Sequence, residues 1–268
     1  MVIESRNMLR QLSIYSFYTM VQKAVGFLML PFYTRYLDPA HYGTLELVEI
    51  IAAVFCMFAG AGMGYAVFKF YYQCDTKQEQ DRLVSTALTS ILLLHLLATV
   101  IGLLFSRPLS ILVFGSPGYS SYLMLIFIRI ITEGAISLGI DYLRIINRAA
   151  LFGVLSLTRL VSTIGLNIWF LMRGMGVQGL LLSSITGAAL IGIPLTIFLY
   201  SRLGFHFDKA RVAPLFRYGT PFIAVSIGQF IINSADRFFL QRYTDLTQVG
   251  IYSLGYRLGF TVDRKSVV

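Results

Sequence analysis

The stretch FYTRYLDPAHYGTLEL at residues 32–47 decides the fold, because FLQRYTDLTQVGIYSL at residues 239–254 repeats it. Without a gap, the two stretches share six of sixteen residues at an offset of 207. The shared residues are Phe32, Arg35, Tyr36, Asp38, Gly43 and Leu47 in the first copy and Phe239, Arg242, Tyr243, Asp245, Gly250 and Leu254 in the second. Internal duplication at this period predicts a fold built from two equivalent halves.

The chain has the composition of a membrane protein. Of its 268 residues, 56% are hydrophobic and 13% are charged, whereas a soluble domain carries about 25% charged residues. Apolar runs of about twenty residues alternate with short polar breaks, which indicates transmembrane helices rather than barrel strands of about ten residues. We expect helices at residues 11–34, 44–68, 83–105, 119–146, 149–172, 177–200 and 213–237, with an eighth beginning near residue 247.

Basic residues between the predicted helices indicate the orientation, because cytoplasmic loops carry an excess of Lys and Arg. With the N-terminus inside, eleven Lys and Arg fall in cytoplasmic segments and five in outer segments. We therefore expect a multi-pass protein of the cytoplasmic (inner) membrane with a cytoplasmic N-terminus. The net charge of +9 then reflects loops that face anionic lipid, so nucleic acid is not an expected partner.

The position of the repeat predicts the architecture. Six helices separate the two copies, so both cross the membrane in the same direction as a parallel repeat. We predict an all-α polytopic membrane protein with a six-helix N-terminal lobe at residues 1–205 and the first two helices of a second lobe at residues 206–262. A complete protein of this plan has at least about twelve helices. With about eight, this chain is expected to be a C-terminally truncated fragment, and the charged residues 263–268 a non-native tail.

Ionisable residues inside the spans are the candidate functional residues, because they are costly in lipid unless paired or hydrated. The fourth predicted helix carries a one-sided polar stripe, made of Arg129, Glu133, Ser137, Asp141, Arg144 and Arg148. The stripe predicts a hydrated cavity wall. The alternative is an ion pair between Arg129 and Glu133 at the i,i+4 spacing.

Three other predicted helices carry similar groups. The fifth aligns Arg159 with Asn167, and Arg159 either faces a lumen or snorkels to the interface. In the first, Lys23 lies near mid-span as a cation for an anionic substrate, or pairs with Glu46 or Glu49 of the second helix. The polar residues of the seventh are Gln229, Asn233, Asp236 and Arg237. The last two are equally well explained as an interfacial pair.

Other conspicuous residues have structural explanations. His95 is expected to be a packed or hydrogen-bonded histidine, with a proton relay as the alternative. Gly60 and Gly64 are expected to permit close helix packing. The sequence contains no metal-ligand spacing, nucleophile motif or phosphate-binding glycine loop. We therefore expect no metal, no cofactor and no catalytic residue, that is, a protein that is not an enzyme.

The segment YGTPFIAVSIGQFIINSADRFFLQRYTDLTQVGIYSLGYRL at residues 218–258 carries a family resemblance. Its Y-x-x-P start, its D-R before an apolar patch and its V-G-x-Y-S-x-x-Y-R resemble bacterial polysaccharide flippases of the multidrug/oligosaccharidyl-lipid/polysaccharide exporter superfamily. LPFYTRYLDPAHYG near the N-terminus looks like the first helix pair of the same family. The resemblance covers about residues 7–262.

This resemblance implies translocation of undecaprenyl-diphosphate-linked oligosaccharide units for O-antigen, capsule or exopolysaccharide assembly. Expected partners are that lipid-linked substrate, membrane lipids, a coupling ion (proton or sodium), a polysaccharide polymerase and glycosyltransferases. Lys23, Arg129 and Arg159 would bind the diphosphate, and Glu133 or Asp141 the coupling ion. The alternatives are a drug or cation exporter of the same superfamily, a membrane glycosyltransferase or polymerase, and a non-transporting scaffold. An enzyme of that kind would need a sizeable aqueous loop, and the predicted loops are short.

Overall fold

The computed structural model of the chain describes residues 2–262, and these residues form ten α-helices with one 3-10 turn at Pro117–Tyr119. The helices are α1 (Val2–Tyr36), α2 (Pro39–Gly60), α3 (Met63–Tyr71), α4 (Lys77–Phe114), α5 (Ser120–Ile145), α6 (Ala149–Met172), α7 (Gly176–Leu203), α8 (Lys209–Gly219), α9 (Pro221–Tyr243) and α10 (Leu246–Val262). The expected all-α membrane fold is confirmed. The tail at residues 263–268 lies outside the described residues, and the division at residue 205 stays a prediction.

Six helical segments of the described chain are long and apolar enough to cross a membrane. They are Pro39–Tyr71, Lys77–Phe114, Pro117–Ile145, Ala149–Met172, Gly176–Leu203 and Lys209–Tyr243. These correspond to the second to seventh predicted helices. The first and eighth predicted helices form as α1 and α10, which pack beside them.

Several helix boundaries differ from the sequence expectation, including the starts of α1 and α2, which lie at Val2 and Pro39 rather than near residues 11 and 44. The expected end of the third predicted helix near residue 105 is wrong, because α4 continues through Pro108 to Phe114. A helix within a bundle tolerates proline where neighbouring groups satisfy the freed backbone. The second and seventh predicted helices are each broken near one end, between α2 and α3 and between α8 and α9.

The repeated stretch forms the same local structure twice. Asp38 ends the connection from α1 and accepts a hydrogen bond from the backbone N–H of His41 at 2.7 Å. Asp245, 207 residues later, accepts from the backbone N–H of Gln248 at 2.8 Å. In both copies an aspartate therefore caps the N-terminus of the following helix, which satisfies one of its free backbone donors.

The two copies also contact each other through their shared glycines. A Cβ on Gly43 would overlap the carbonyl oxygen of Leu246, and a Cβ on Gly250 would overlap that of Pro39. Leu246 and Pro39 are the equivalent first residues of α10 and α2, so the contact is related by a local two-fold axis. Only glycine allows the two backbones to approach this closely.

A second close approach occurs at the opposite end of the bundle. Ala61 and Gly62 adopt left-handed conformations with φ of 46° and 64°, and they separate α2 from α3. Gly62 lies against the backbone of Gly219, the residue before the break between α8 and α9. The two breaks therefore touch. The expectation that Gly60 permits close packing is wrong, because open space surrounds it; Gly62 has that role.

Apolar side chains fill two main clusters, one toward each end of the bundle. The cluster near α3 contains Met63, Leu88, Leu138 and Leu199. The cluster near the repeated glycines contains Leu47, Phe127 and Leu181, with Val249 of α10 among them. Many other large apolar side chains point outward, as expected of a surface that faces lipid.

Candidate functional site

Many of the polar residues predicted from the sequence line three cavities between the helices. The network cavity, of about 560 Å³, lies among α1, α2, α5, α6 and α7. The junction cavity, of about 270 Å³, lies where α1 and α2 meet α9 and α10. The inner cavity, of about 670 Å³, lies beside α3 and the break between α8 and α9. Arg257 of α10 lines both the network and the junction cavities.

Arg129 of α5 and Glu49 of α2 form a bidentate ion pair in the network cavity. Nη1 of Arg129 donates to Oε1 of Glu49 at 2.9 Å, and Nη2 donates to Oε2 at 2.7 Å. The Arg129 side chain is only 14% exposed. A guanidinium buried among apolar helices needs such a partner, because desolvation of an unpaired charge is very costly.

Glu133 joins this pair to α6. Nη2 of Arg159 donates to Oε1 of Glu133 at 2.6 Å, and the same oxygen lies 3.6 Å from Nε of Arg129. Glu49, Arg129, Glu133 and Arg159 therefore alternate in charge along one chain of contacts. The i,i+4 ion pair between Arg129 and Glu133, which the sequence allowed, is present, but at 3.6 Å it is the longest contact of this network. Arg159 faces the cavity rather than snorkelling to the interface.

Hydrogen-bonding groups extend the network cavity toward α1. Nδ2 of Asn167 donates to the hydroxyl of Tyr33 at 2.8 Å. Oδ1 of Asn167 is buried and has no hydrogen-bond partner among the described groups. The described lining of this cavity therefore combines three arginines and Glu49 with amide and hydroxyl groups that can exchange hydrogen bonds.

The junction cavity has more positive than negative charge. Lys23, Arg237 and Arg257 line it together with a single carboxylate among its described residues, Glu46. Nη2 of Arg257 donates to Oε2 of Glu46 at 2.8 Å, and its guanidinium lies 5.4 Å from the ring centre of Tyr42. Since Glu46 pairs with Arg257 and Glu49 with Arg129, these carboxylates hold α10 and α5 against α2.

Arg237 is the most deeply placed cation of the junction cavity. Its side chain is 3% exposed and donates to Oδ1 of Asp236 at 2.8 Å. Its guanidinium lies 4.3 Å from the ring centre of Tyr256, whose hydroxyl donates to Oδ1 of Asn233 at 3.4 Å. The Asp236–Arg237 pair is thus built into the contact between α9 and α10.

The inner cavity contains Asp141, which the sequence grouped with Glu133. Twelve residues of α5 separate Arg129 from Asp141, or about 18 Å at 1.5 Å per residue. The Asp141 carboxylate lies 3.5 Å from Arg144 and against Gly64, where a Cβ would overlap it. From Arg129 to Arg144 the polar stripe lies on α5 and borders two cavities rather than one, whereas Arg148 lies beyond the end of α5, at the start of α6.

Two further predicted residues occupy minor positions. Gln229 is exposed and accepts from Nδ2 of Asn233 at 3.1 Å. His95 is buried, and its Nδ1 lies 2.8 Å from the carbonyl oxygen of Ile91, which confirms a packed histidine. Within the described part of the chain, no group of three or more His, Cys, Asp or Glu side chains could hold a metal ion.

Arg257 and Tyr42 are among the cavity residues that were not identified from the sequence. Arg257 ends the motif V-G-x-Y-S-x-x-Y-R, and Tyr42 lies inside the first copy of the repeat. Both residues therefore lie in segments that the family motif or the internal repeat already marks. Their proximity depends on the packing of α10 against α2, which no local pattern in the sequence reveals.

Comparisons with known proteins agree with this architecture. Residues 8–266 match the family described as Polysaccharide biosynthesis protein. Among solved structures, the chain is similar to a MATE multidrug transporter, DinF-BH in complex with R6G, with a TM-score of 0.67 and 19% identity over 93% of this chain and 58% of that chain. A second solved structure, described as protein A, has a TM-score of 0.67 and 17% identity over 96% of this chain and 60% of that chain.

No curated protein matches the chain. The chain spans about three-fifths of the length of both solved structures. Its fold, which is similar to that of both solved structures, and its six candidate spans define a multi-pass helical membrane protein. Since the family match covers nearly all of it, the chain belongs to the polysaccharide biosynthesis protein family.

Proposed function

We propose that the protein translocates undecaprenyl-diphosphate-linked oligosaccharide units across the cytoplasmic membrane by alternating access, for polysaccharide, O-antigen or capsule biosynthesis. The observation that carries the proposal is the junction cavity, where Lys23, Arg237 and Arg257 outnumber Glu46 and the Asp236 carboxylate that pairs with Arg237. A diphosphate that carries sugars cannot cross about 30 Å of hydrocarbon unaided. A cation-rich cavity between the two repeats would lower that barrier.

The charges suggest a division of roles among the cations. Guanidinium groups match phosphate oxygens through paired hydrogen bonds. We assign the diphosphate to Lys23, Arg257 and Arg159, because they line the junction cavity or the adjoining network cavity. Arg129 instead holds Glu49 in place through its bidentate pair. Asn167, Asn233 and Gln229 would exchange hydrogen bonds with sugar hydroxyls.

Coupling to an ion gradient is part of this proposal. Glu133 and Asp141 are the carboxylates that would take up a proton or sodium. Each already contacts an arginine, Arg159 and Arg144 respectively. Protonation of either carboxylate would release its arginine toward the substrate, so ion uptake and substrate binding would be linked. The N-terminus would lie in the cytoplasm.

A cation exporter is the second candidate, because the fold is similar to that of a multidrug transporter. The charge balance of the junction cavity favours an anionic substrate over a cationic one.

Surface glycan display tests the proposed function. The protein, expressed from its complete gene in a strain that lacks its polysaccharide flippase, should restore display. Arg257→Ala and Lys23→Ala should each lower display at least about tenfold, since hydrogen bonds to charged groups are worth about 1.5–3 kcal/mol. Arg242→Ala is the matched control, because this exposed residue lies on α9 away from the cavities.

Undiminished display by both cavity variants would remove the cationic-site proposal. Failure of the wild-type protein to restore display, together with exclusion of rhodamine 6G from cells, would replace the proposed function with cation export.

A further inference from the structure

We propose that the inner cavity is a second substrate site, which binds the sugar rings of the lipid-linked oligosaccharide through aromatic side chains. The identity of the substrate rests on the function proposed above. The site itself rests on the arrangement of Tyr65, Phe222, Asp141 and Arg144 around this cavity. Its volume of about 670 Å³ lies within the range of about 300–1,000 Å³ that is usual for small-molecule sites.

Aromatic rings line one side of the inner cavity. The rings of Tyr65 and Phe222 stack at 4.3 Å with an angle of 14° between their planes. Tyr218 packs against Phe222 at 5.6 Å. Tyr65 is 60% exposed, so part of its ring remains open to the cavity. The C–H groups of a sugar ring are weakly positive and pack well on the negative face of an aromatic ring.

Hydrogen-bonding groups line the other side of the cavity, on α5. Asp141 and Arg144 lie one helical turn apart, and Ser137 lies one turn further along the same face. A carboxylate, a guanidinium and a hydroxyl together offer donors and acceptors to the paired hydroxyls of a sugar. Gly64 leaves the space that the Asp141 carboxylate occupies. The cavity thus combines an apolar platform with a polar wall.

The charges in the inner cavity disfavour a cationic ligand. Lys69 already lies over the ring of Tyr218, 4.1 Å from its centre. Arg144 lies 3.5 Å from Asp141. With two cations and one carboxylate among its described lining residues, the cavity would repel a further cation but accept a neutral or acidic sugar.

The position of the inner cavity fits an early stage of transport. It lies at the end of the bundle that the orientation rule assigns to the cytoplasm. The polar face of α5 continues from Asp141 and Ser137 to Glu133, which contacts Arg129 and Arg159 of the network cavity. A headgroup that leaves the inner cavity therefore meets further hydrogen-bonding groups along one helix. We assign the inner cavity to recognition of the sugar and the junction cavity to recognition of the diphosphate.

Binding measurements on the purified chain in lipid nanodiscs test this assignment. The probes are a panel of neutral, amino and acidic disaccharides and, separately, inorganic pyrophosphate, with binding followed by saturation-transfer NMR. At least one disaccharide class should bind the wild-type chain. Its affinity should fall at least about threefold in Tyr65→Ala and Phe222→Leu, since an aromatic contact is worth about 0.5–1.5 kcal/mol.

Two variants control for loss of the fold, and a third tests the polar wall of the cavity. Tyr65→Phe keeps the ring and should bind like the wild type. Phe58→Ala removes an exposed ring of α2 that does not line the cavity, and it should also leave binding unchanged. Gly64→Ala should displace the Asp141 carboxylate and weaken disaccharide binding while keeping both aromatic rings.

Pyrophosphate separates this proposal from the proposed function. Its binding should be lost in Arg257→Ala and kept in Tyr65→Ala, whereas disaccharide binding should show the opposite pattern. If pyrophosphate binds but no disaccharide does, or if disaccharide binding is unchanged in Tyr65→Ala, the sugar site is overturned while the proposed function stands. If disaccharides bind as expected but pyrophosphate does not, the sugar site stands and the diphosphate site falls. Displacement of a bound disaccharide by rhodamine 6G would overturn the assignment in favour of a cation site.

Discussion

Arg129 is the residue on which the polar network depends. It contacts carboxylates from two helices, Glu49 of α2 and Glu133 of α5, and Glu133 in turn binds Arg159 of α6. A charge removed from water is stabilised only when its partners stay in place. The network therefore has a structural role, joining three helices, beside any role in binding a substrate.

Removal of one partner should expose this structural role. Glu49→Gln leaves Arg129 buried without its bidentate carboxylate and should lower the free energy of unfolding by about 2–3 kcal/mol. The double variant Glu49→Gln/Arg129→Met removes both charges and should lose less than the sum of the single changes. Thermal unfolding in detergent measures the stability of the single and double variants. If the losses of the two single variants simply add up in the double variant, the interaction between Glu49 and Arg129 contributes nothing to stability.

Residue spacing within one helix was predictable from the sequence, and contacts between helices were not. The polar face of α5 follows from 100° per residue, so Arg129 and Glu133 were correctly placed on one side. The bidentate partner of Arg129 lies 80 residues away on α2, and Arg257 lies 211 residues from Glu46. Such pairs arise from the packing of whole helices, which local periodicity does not specify.

At the scale of helices, the repeated stretch provides the contact between the two repeats. Its aspartates begin α2 and α10, and its glycines let the backbones of these two helices touch. Residues shared by duplicated halves can be retained because they meet at the axis between them. Gly43 and Gly250 are of this kind.

Alanine at either repeated glycine should therefore destabilise the protein. Gly43→Ala and Gly250→Ala each place a methyl group into a neighbouring backbone carbonyl, and overpacking of this kind costs about 1–3 kcal/mol. Gly165→Ala on α6 is the matched control, because no atom lies within 4 Å of its added Cβ. The control should be neutral or stabilising by up to about 1 kcal/mol. Equal unfolding midpoints for all three variants would contradict the close contact.

Helix ends were predictable where capping chemistry is local. The start of α10 after Asp245 and the bounds of α6 agree with the sequence expectation, whereas α2 begins at Pro39 rather than near residue 44. The break at Ala61-Gly62 was not predicted. Its left-handed backbone accompanies a contact between Gly62 and Gly219 across the bundle, and the local sequence does not reveal that contact. The helix end expected near residue 105 was wrong, because Pro108 does not end a helix that is packed on its neighbours.

For the whole molecule, the distribution of basic residues predicts which end of the bundle faces the cytoplasm. In a background of Cys56→Ala and Cys74→Ser, Gly118→Cys should react with a membrane-impermeant thiol reagent added outside cells. Gln73→Cys should react only after the cells are permeabilised. Both positions are exposed at opposite ends of the bundle, in the connections after α4 and α3. The reverse labelling pattern would invert the orientation.

We propose that the cations at the contact between the repeats carry a diphosphate-linked oligosaccharide across the membrane. Proteoliposomes that contain the protein from its complete gene and fluorescent undecaprenyl-diphosphate-linked oligosaccharide test it most directly, by the rate at which the sugar becomes accessible to a lectin on the opposite side. The account predicts rapid translocation by the wild type and by Arg242→Ala, and a rate at least about tenfold lower in Arg257→Ala. Translocation by Arg257→Ala at the wild-type rate, or none by the wild type, would contradict it.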